Sequence, residues 1–113
     1  MNYKILANSS NGDVFYEINV NNVDGTFAIS CNCKAGEMGM MCKHRVAVIT
    51  GEYGKIIDIE NPENFIVKDA TKFIADQGIT ERYLTLTKEL IELQKRFKAD
   101  EKAIKLQINK LAD

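Results

Sequence analysis

The chain has no apolar run of eighteen or more residues, and among its 113 residues there are only one proline, one histidine and three cysteines. The missing apolar run excludes a membrane-spanning helix, which needs about 20 consecutive apolar residues. Charge of one sign is missing too. Fifteen Lys and Arg stand against sixteen Asp and Glu, a formal net charge of -1, with a sequence pI near 5.9. A protein held to nucleic acid by a general phosphate-binding surface carries a basic excess, so strong nonspecific DNA binding is not expected. The chain has no Gly-rich phosphate loop, no paired carboxylates in an evident motif, and no Cys or His outside one short segment. The sequence therefore gives no enzyme. An odd cysteine count fits a disulfide framework poorly. Met1-Asn2-Tyr3-Lys4 leads straight into a strand pattern with no signal peptide, and the expected location is the reducing cytoplasm. An apolar content of 45% suits one compact domain, or a small domain with an appendage, and excludes general disorder.

Every cysteine and the only histidine fall between residues 31 and 44: Cys31-Asn32-Cys33, an eight-residue loop, then Cys42-Lys43-His44. Three thiolates and one imidazole make the donor set that closes a tetrahedral zinc site. On an extended segment Cys31 and Cys33 point to the same side and can share an ion. On a helix the same two-residue step would separate Cys42 and His44 by about 200° around the axis. Cys42 is therefore expected in a turn or at a helix entrance, with His44 just inside the first turn. Free N–H groups and the positive end of the helix dipole would there favour the thiolates. Gly36 and Gly39 permit the loop between the pairs to reverse. With four protein donors no position is left for water, so the expected cofactor is one structural Zn²⁺ per chain. Two other readings stay open. Met38, Met40 and Met41 could add thioethers for Cu(I), and oxidation of the thiolates could eject the metal as a redox switch.

A Cys-x-Cys pair followed by Cys-x-His resembles the SWIM zinc finger, with Cys31, Cys33, Cys42 and His44 as the matching residues. The flanks agree: Val14 to Val20 and Phe27 to Ser30 lie ahead as aromatic and aliphatic strand segments. Lys43 sits between the last two ligands, and the apolar run Arg45-Val46-Ala47-Val48-Ile49 follows. The resemblance covers about residues 14–50, a third of the chain. It implies zinc binding with nucleic-acid or protein recognition as the usual role, and it implies no reaction.

The fold class expected is α+β. Tyr3 to Ala7, Val14 to Val20 and Thr26 to Ser30 read as an antiparallel β-meander, with turns at Asn8 to Asp13 and at Asn21 to Gly25, the latter closing on Asp24-Gly25. It leads into the metal loop and a short helix ending at Gly51. β-branched Val46, Val48, Ile49 and Thr50 would by themselves favour a strand there, but zinc geometry and packing can override that preference. Lys55 to Ile59 reads as a further short strand stopped by Asn61-Pro62. Residues 1–60 would form the zinc-binding domain and 61–113 a helical extension. In that extension Asp69 is expected to cap a short helix ended at Gly78, and Thr80 a longer one.

The seam Tyr83, Leu86, Leu90, Leu93, Phe97 steps by three and four; after it the apolar positions become Ile104, Ile108 and Leu111. A stutter in one continuous helix and a break near Ala99-Asp100 into a hairpin both account for this shift. A continuous helix over 81–111 would be roughly 45 Å long and would expose an apolar face suited to homodimerisation. In the other arrangement both halves fold back as core.

From Lys88 to Lys110 seven bases face four acids, a local balance of +3. Lys95, Lys98, Lys102 and Lys105 share one helix side. Beside the metal, Lys34, Lys43 and Arg45 form a second basic cluster. They could contact nucleic acid, or offset the -1 charge of three thiolates around one Zn²⁺. Two functions remain. In the first, a protein partner docks on the zinc knob with its Met38, Met40 and Met41 loop, or on the long helix, within a nucleic-acid-processing or defence complex. In the second, DNA or RNA is bound directly through the two basic groups.

Overall fold

The computed structural model describes residues 2–9 and 14–112. Three strands, β1 (Asn2–Asn8), β2 (Phe15–Val23) and β3 (Thr26–Cys31), form an antiparallel sheet in the order β1-β2-β3. The β2–β3 turn is the two-residue Asp24-Gly25 of the sequence, with φ of 52° and 79°. Both values are left-handed, as the tight hairpin that matches sheet twist requires. Residues 10–13 of the other expected turn lie outside the described residues; at its edge the Ser9 N–H meets the Val14 carbonyl at 3.1 Å. Register places Ile18 of β2 between Ile5 of β1 and Cys31 of β3. Since alternate residues share a sheet face, Ile5, Ala7, Ile18 and Val20 are fully buried, and Cys31 continues that face at the end of β3.

Four helices follow: α1 (Lys34–Glu37), α2 (Lys43–Thr50), α3 (Val67–Asp76) and α4 (Ile79–Lys110), with a 3-10 turn over Pro62–Asn64. The β-branched run 46–50 is helical, and its ends show why. Cys42 caps the N-terminus, and Gly51 takes the left-handed conformation at φ 78° with its N–H on the Ala47 carbonyl. The open carbonyls of the last turn are met by neighbouring elements: the Thr71 hydroxyl donates to Val48 O at 2.8 Å and the Thr80 hydroxyl to Ile49 O at 2.7 Å. With its termini satisfied, α2 packs Ala47, Val48 and Ile49 against β3 and α3. Phe73 of α3 packs its ring at a tilt against Tyr3 and Phe27 from two strands, at 5.8 and 6.0 Å between centroids.

Three local expectations are corrected. Thr80 lies inside the first turn of α4 and is engaged by α2, so it is not the cap of its own helix. Asp69 also sits within a first turn, because α3 starts at Val67 after Ile66, which makes no side-chain cap bond. An acidic residue in the first turn is still favoured by the positive helix end. Lys55 to Ile59 forms turns, not a strand: both Ile56 and Ile57 N–H groups close back on the Tyr53 carbonyl, and Ile57 is buried. The segment instead ties to the end of β1, where the Asn8 N–H reaches Ile56 O at 2.7 Å.

Asn64 explains how β1, with β2 on only one side, ends its other edge. Its side-chain carbonyl accepts from the Leu6 N–H at 2.8 Å, and its amide donates to Leu6 O at 3.0 Å and Asp58 O at 2.9 Å. One fully buried amide thus does what a fourth strand would do.

The chain separates into two compact units, residues 1–80 and 81–113; the sequence places its boundary near residue 60. The second unit is the body of α4, which is one continuous helix of 32 residues, about 48 Å at 1.5 Å per residue. The hairpin alternative is excluded. None of its residues is buried.

Candidate metal centre

The four ligands are presented by a strand end, two helix caps and a first helical turn. Cys31 is the last residue of β3. Cys33, extended at φ -71° and ψ 167°, is the N-cap of α1, and its Sγ accepts the Gly36 N–H at 3.3 Å. Cys42, extended at φ -111° and ψ 161°, is the N-cap of α2, and its Sγ accepts the Arg45 N–H at 3.4 Å. His44 is in the first turn of α2, as expected, with Nδ1 3.7 Å from Cys31 Sγ. Two thiols therefore sit at two helix starts, where backbone N–H groups stabilise negative sulfur. The short helix α1 was not foreseen. Its signal was present in Cys33-Lys34-Ala35-Gly36, a cap residue three positions before the N–H it receives.

One donor atom from each of Cys31, Cys33, Cys42 and His44 lies within 4.8 Å of the others, and all four residues are buried. Around a tetrahedral zinc with Zn–S near 2.3 Å and Zn–N near 2.0 Å, ligand atoms stand about 3.5–3.8 Å apart. The Cys31–His44 separation of 3.7 Å already has that length. The donor set fits one zinc ion. All three cysteines are free thiols, which removes the disulfide. Met38, Met40 and Met41 are each more than half exposed, and the four-donor set closes without their thioethers.

Electrostatics divide the thiols. Burial pushes the Cys31 thiol up to about 12; the Cys33 backbone N–H works against it, and the Cys33 and Cys42 thiols add to it. Burial also opposes the Cys42 thiolate, but hydrogen bonds from Arg45 and the adjacent thiols outweigh it and lower its pKa. Burial, then the Lys43 charge, lowers His44, which keeps the imidazole neutral and fit to donate a lone pair. The ring packs against Tyr16 at a tilt of 46°, with centroids 5.0 Å apart. Its Nε2 has no well-formed hydrogen-bond partner, although the Asn8 backbone lies near enough to favour the charged form.

Gly36 is required by space. A Cβ there would lie 2.2 Å from the Cys31 carbonyl oxygen, inside any contact distance. Close approach of α1 to the end of β3 brings Cys33 onto Cys31.

Of the expected contact residues, Arg45 is already engaged: its guanidinium donates to Ile29 O at 3.3 Å and to Met40 O. It pins the metal loop to β3 and sets positive charge beside the thiolates. Lys34, Met41 and Lys43 border an open groove with Tyr16 over the ligands. Lys95, Lys98, Lys102 and Lys105 belong to the other compact unit, exposed on α4 within an arc of about 80°, with Lys105 paired to Glu101 at 2.7 Å.

Residues 14–50 match the family model of the SWIM zinc finger. This segment is similar to a SWIM zinc finger. The matched span holds β2, β3, α1, α2 and all four ligands. No curated protein and no solved structure gives a significant match to the chain. Among the described residues no helix is long and apolar enough to cross a membrane.

Proposed function

We propose that the SWIM finger of this chain is a non-enzymatic interaction module that docks a protein partner through its metal loop. The observation that carries this reading is the exposure of Met38, Met40 and Met41, at 66%, 57% and 52%, on the one loop between the two cysteine-bearing helix starts. Large apolar side chains held in water on an anchored loop are stabilised by covering them. Methionine is the residue best able to adapt to a partner surface. Arg45 fixes the loop through Met40 O, and the groove beside it offers Lys34 and Lys43 at its rim. A zinc with four protein donors has no free coordination position, so its work is to hold this surface.

The test is capture of partners from the native cell extract by the zinc-loaded wild type and by a Met38→Ser/Met40→Ser/Met41→Ser variant that retains zinc. Loss of wild-type-specific partners in the triple variant supports the reading. An unchanged partner set overturns it.

Direct nucleic-acid binding is the second reading, favoured by the arc of Lys95, Lys98, Lys102 and Lys105. Binding to short DNA and RNA at two salt concentrations separates the two. Affinity that falls steeply with salt and with K95E/K98E/K102E supports the second; no binding at low salt removes it.

A further inference from the structure

We propose that α4 pairs with α4 of a second copy of this chain, antiparallel, with the two-fold axis passing at Phe97. The helix has no buried residue along 32 positions. At 100° per residue, Tyr83, Leu86, Leu90, Leu93, Phe97, Ile104 and Ile108 fall within an arc of about 80°, and Leu111 follows one residue past the helix end. Among them Leu86, Leu90, Leu93, Phe97, Ile104, Ile108 and Leu111 are 53–85% exposed. The shift that follows Phe97 in the sequence is thus a stutter that a straight helix absorbs. The eleven-residue steps Leu86–Phe97–Ile108 keep the stripe nearly parallel to the axis.

The spacing of the stripe reads the same in both directions from Phe97. Leu90 and Ile104 lie seven residues either side, Leu86 and Ile108 eleven, Tyr83 and Leu111 fourteen. A two-fold axis at Phe97 therefore sets Leu90 level with Ile104 of the second copy, Leu86 with Ile108, and Tyr83 with Leu111. The one break is Leu93, mirrored by Glu101, whose carboxylate is met within its own helix by Lys105 at 2.7 Å.

Charge selects the same direction. Residues 79–94 carry three acids and two bases, a balance of -1, whereas residues 95–110 carry six bases and two acids, a balance of +4. A parallel pair would lay the strongly basic half beside itself; the antiparallel pair lays it beside the acidic half. Arg96 and Asp100 share one flank of the stripe, and across the two-fold each comes within about 3 Å, along the axis, of the level of its opposite in the second copy. Covering the exposed parts of the stripe would bury on the order of 700 Å² per helix, close to the ~800 Å² per partner of a standard stable interface.

The test is sedimentation equilibrium of the zinc-loaded full chain over a wide concentration range. The expected result is a species of twice 12.7 kDa, with F97E raising the dissociation constant at least about a hundredfold. Zinc content of F97E should be unchanged, which separates this interface from the metal-loop surface. Direction is read by photo-crosslinking from p-benzoylphenylalanine at position 86. Crosslinks to peptides around Ile108 support the proposal, and crosslinks to peptides around position 86 overturn it. A strict monomer at several hundred micromolar also overturns it.

Discussion

Cys31 Sγ and His44 Nδ1 stand 3.7 Å apart, the length of one edge of a zinc-centred tetrahedron, although they are thirteen positions apart in the chain. The strand end and the helix start that carry them are held by other contacts as well: Arg45 bridges Ile29 O and Met40 O, and α2 packs on β3. The fold brings the donors close, and the metal closes the remaining distance.

Removing one ligand should therefore release a whole segment. Cys33→Ala or His44→Ala is expected to lower zinc affinity at least about a hundredfold and to cost most of the stability of residues 2–80, since metal binding and folding are coupled. Circular dichroism with and without a strong chelator checks this. Chelation should lower the thermal stability of the wild type toward that of the variant and leave the variant little changed.

Gly36 and Gly39 should respond differently to the same substitution. Gly36→Ala forces a Cβ against the Cys31 carbonyl and displaces Cys33, so zinc affinity should fall by about tenfold or more. Gly39 has open space around its Cβ position but φ of 75°, so Gly39→Ala should cost only about 1 kcal/mol of backbone strain and keep its zinc. Competition with a coloured zinc chelator measures both.

Asn64→Ala leaves the Leu6 N–H and two carbonyls without their partner in a site that is 1% exposed. The expected loss is about 2–4 kcal/mol. Denaturant unfolding of the zinc-loaded protein reads it, and zinc stoichiometry should remain unchanged because the ligands lie elsewhere in the fold.

How much of this was legible in the residues follows from where the information resides. The ligand set, the meander, the Asp24-Gly25 turn and the two helix-start roles of Cys42 and His44 depend on local spacing, and spacing is visible. Helix α2 was legible only through the resemblance, because its β-branched residues argue locally for a strand and are outvoted by Thr71 and Thr80 arriving from distant positions. The same long-range bond hid the role of Thr80, whose type and position suit a cap. Asn64 gave no signal at all, since a buried amide that closes a strand edge 58 residues away looks like any loop asparagine. The Lys55 to Ile59 segment resembled a strand because Ile56, Ile57 and Ile59 are β-branched, although only Ile57 is buried.

Acid should unload the metal. In the metal-free protein the Cys31 thiol is pushed up to about 12, so it is protonated at neutral pH, and zinc must displace its proton to bind. Proton competition grows as pH falls, so zinc affinity should drop steadily between about pH 8 and pH 5. The metal-free fold shows the opposite sign for this group: a raised thiol pKa favours the folded state below the ordinary value of 9.0, and that contribution is lost as pH rises toward about 12. Zinc titrations in weakly buffered solution, with the released protons measured, check the first statement. Thermal unfolding of the chelated protein on the alkaline side checks the second.

The most direct measurement is X-ray absorption at the zinc edge on protein purified without chelator, together with metal analysis of the same sample. One zinc per chain with three sulfurs near 2.3 Å and one nitrogen near 2.0 Å is the expected result. A metal content far below one per chain, or a shell made mainly of oxygen and nitrogen, would contradict it.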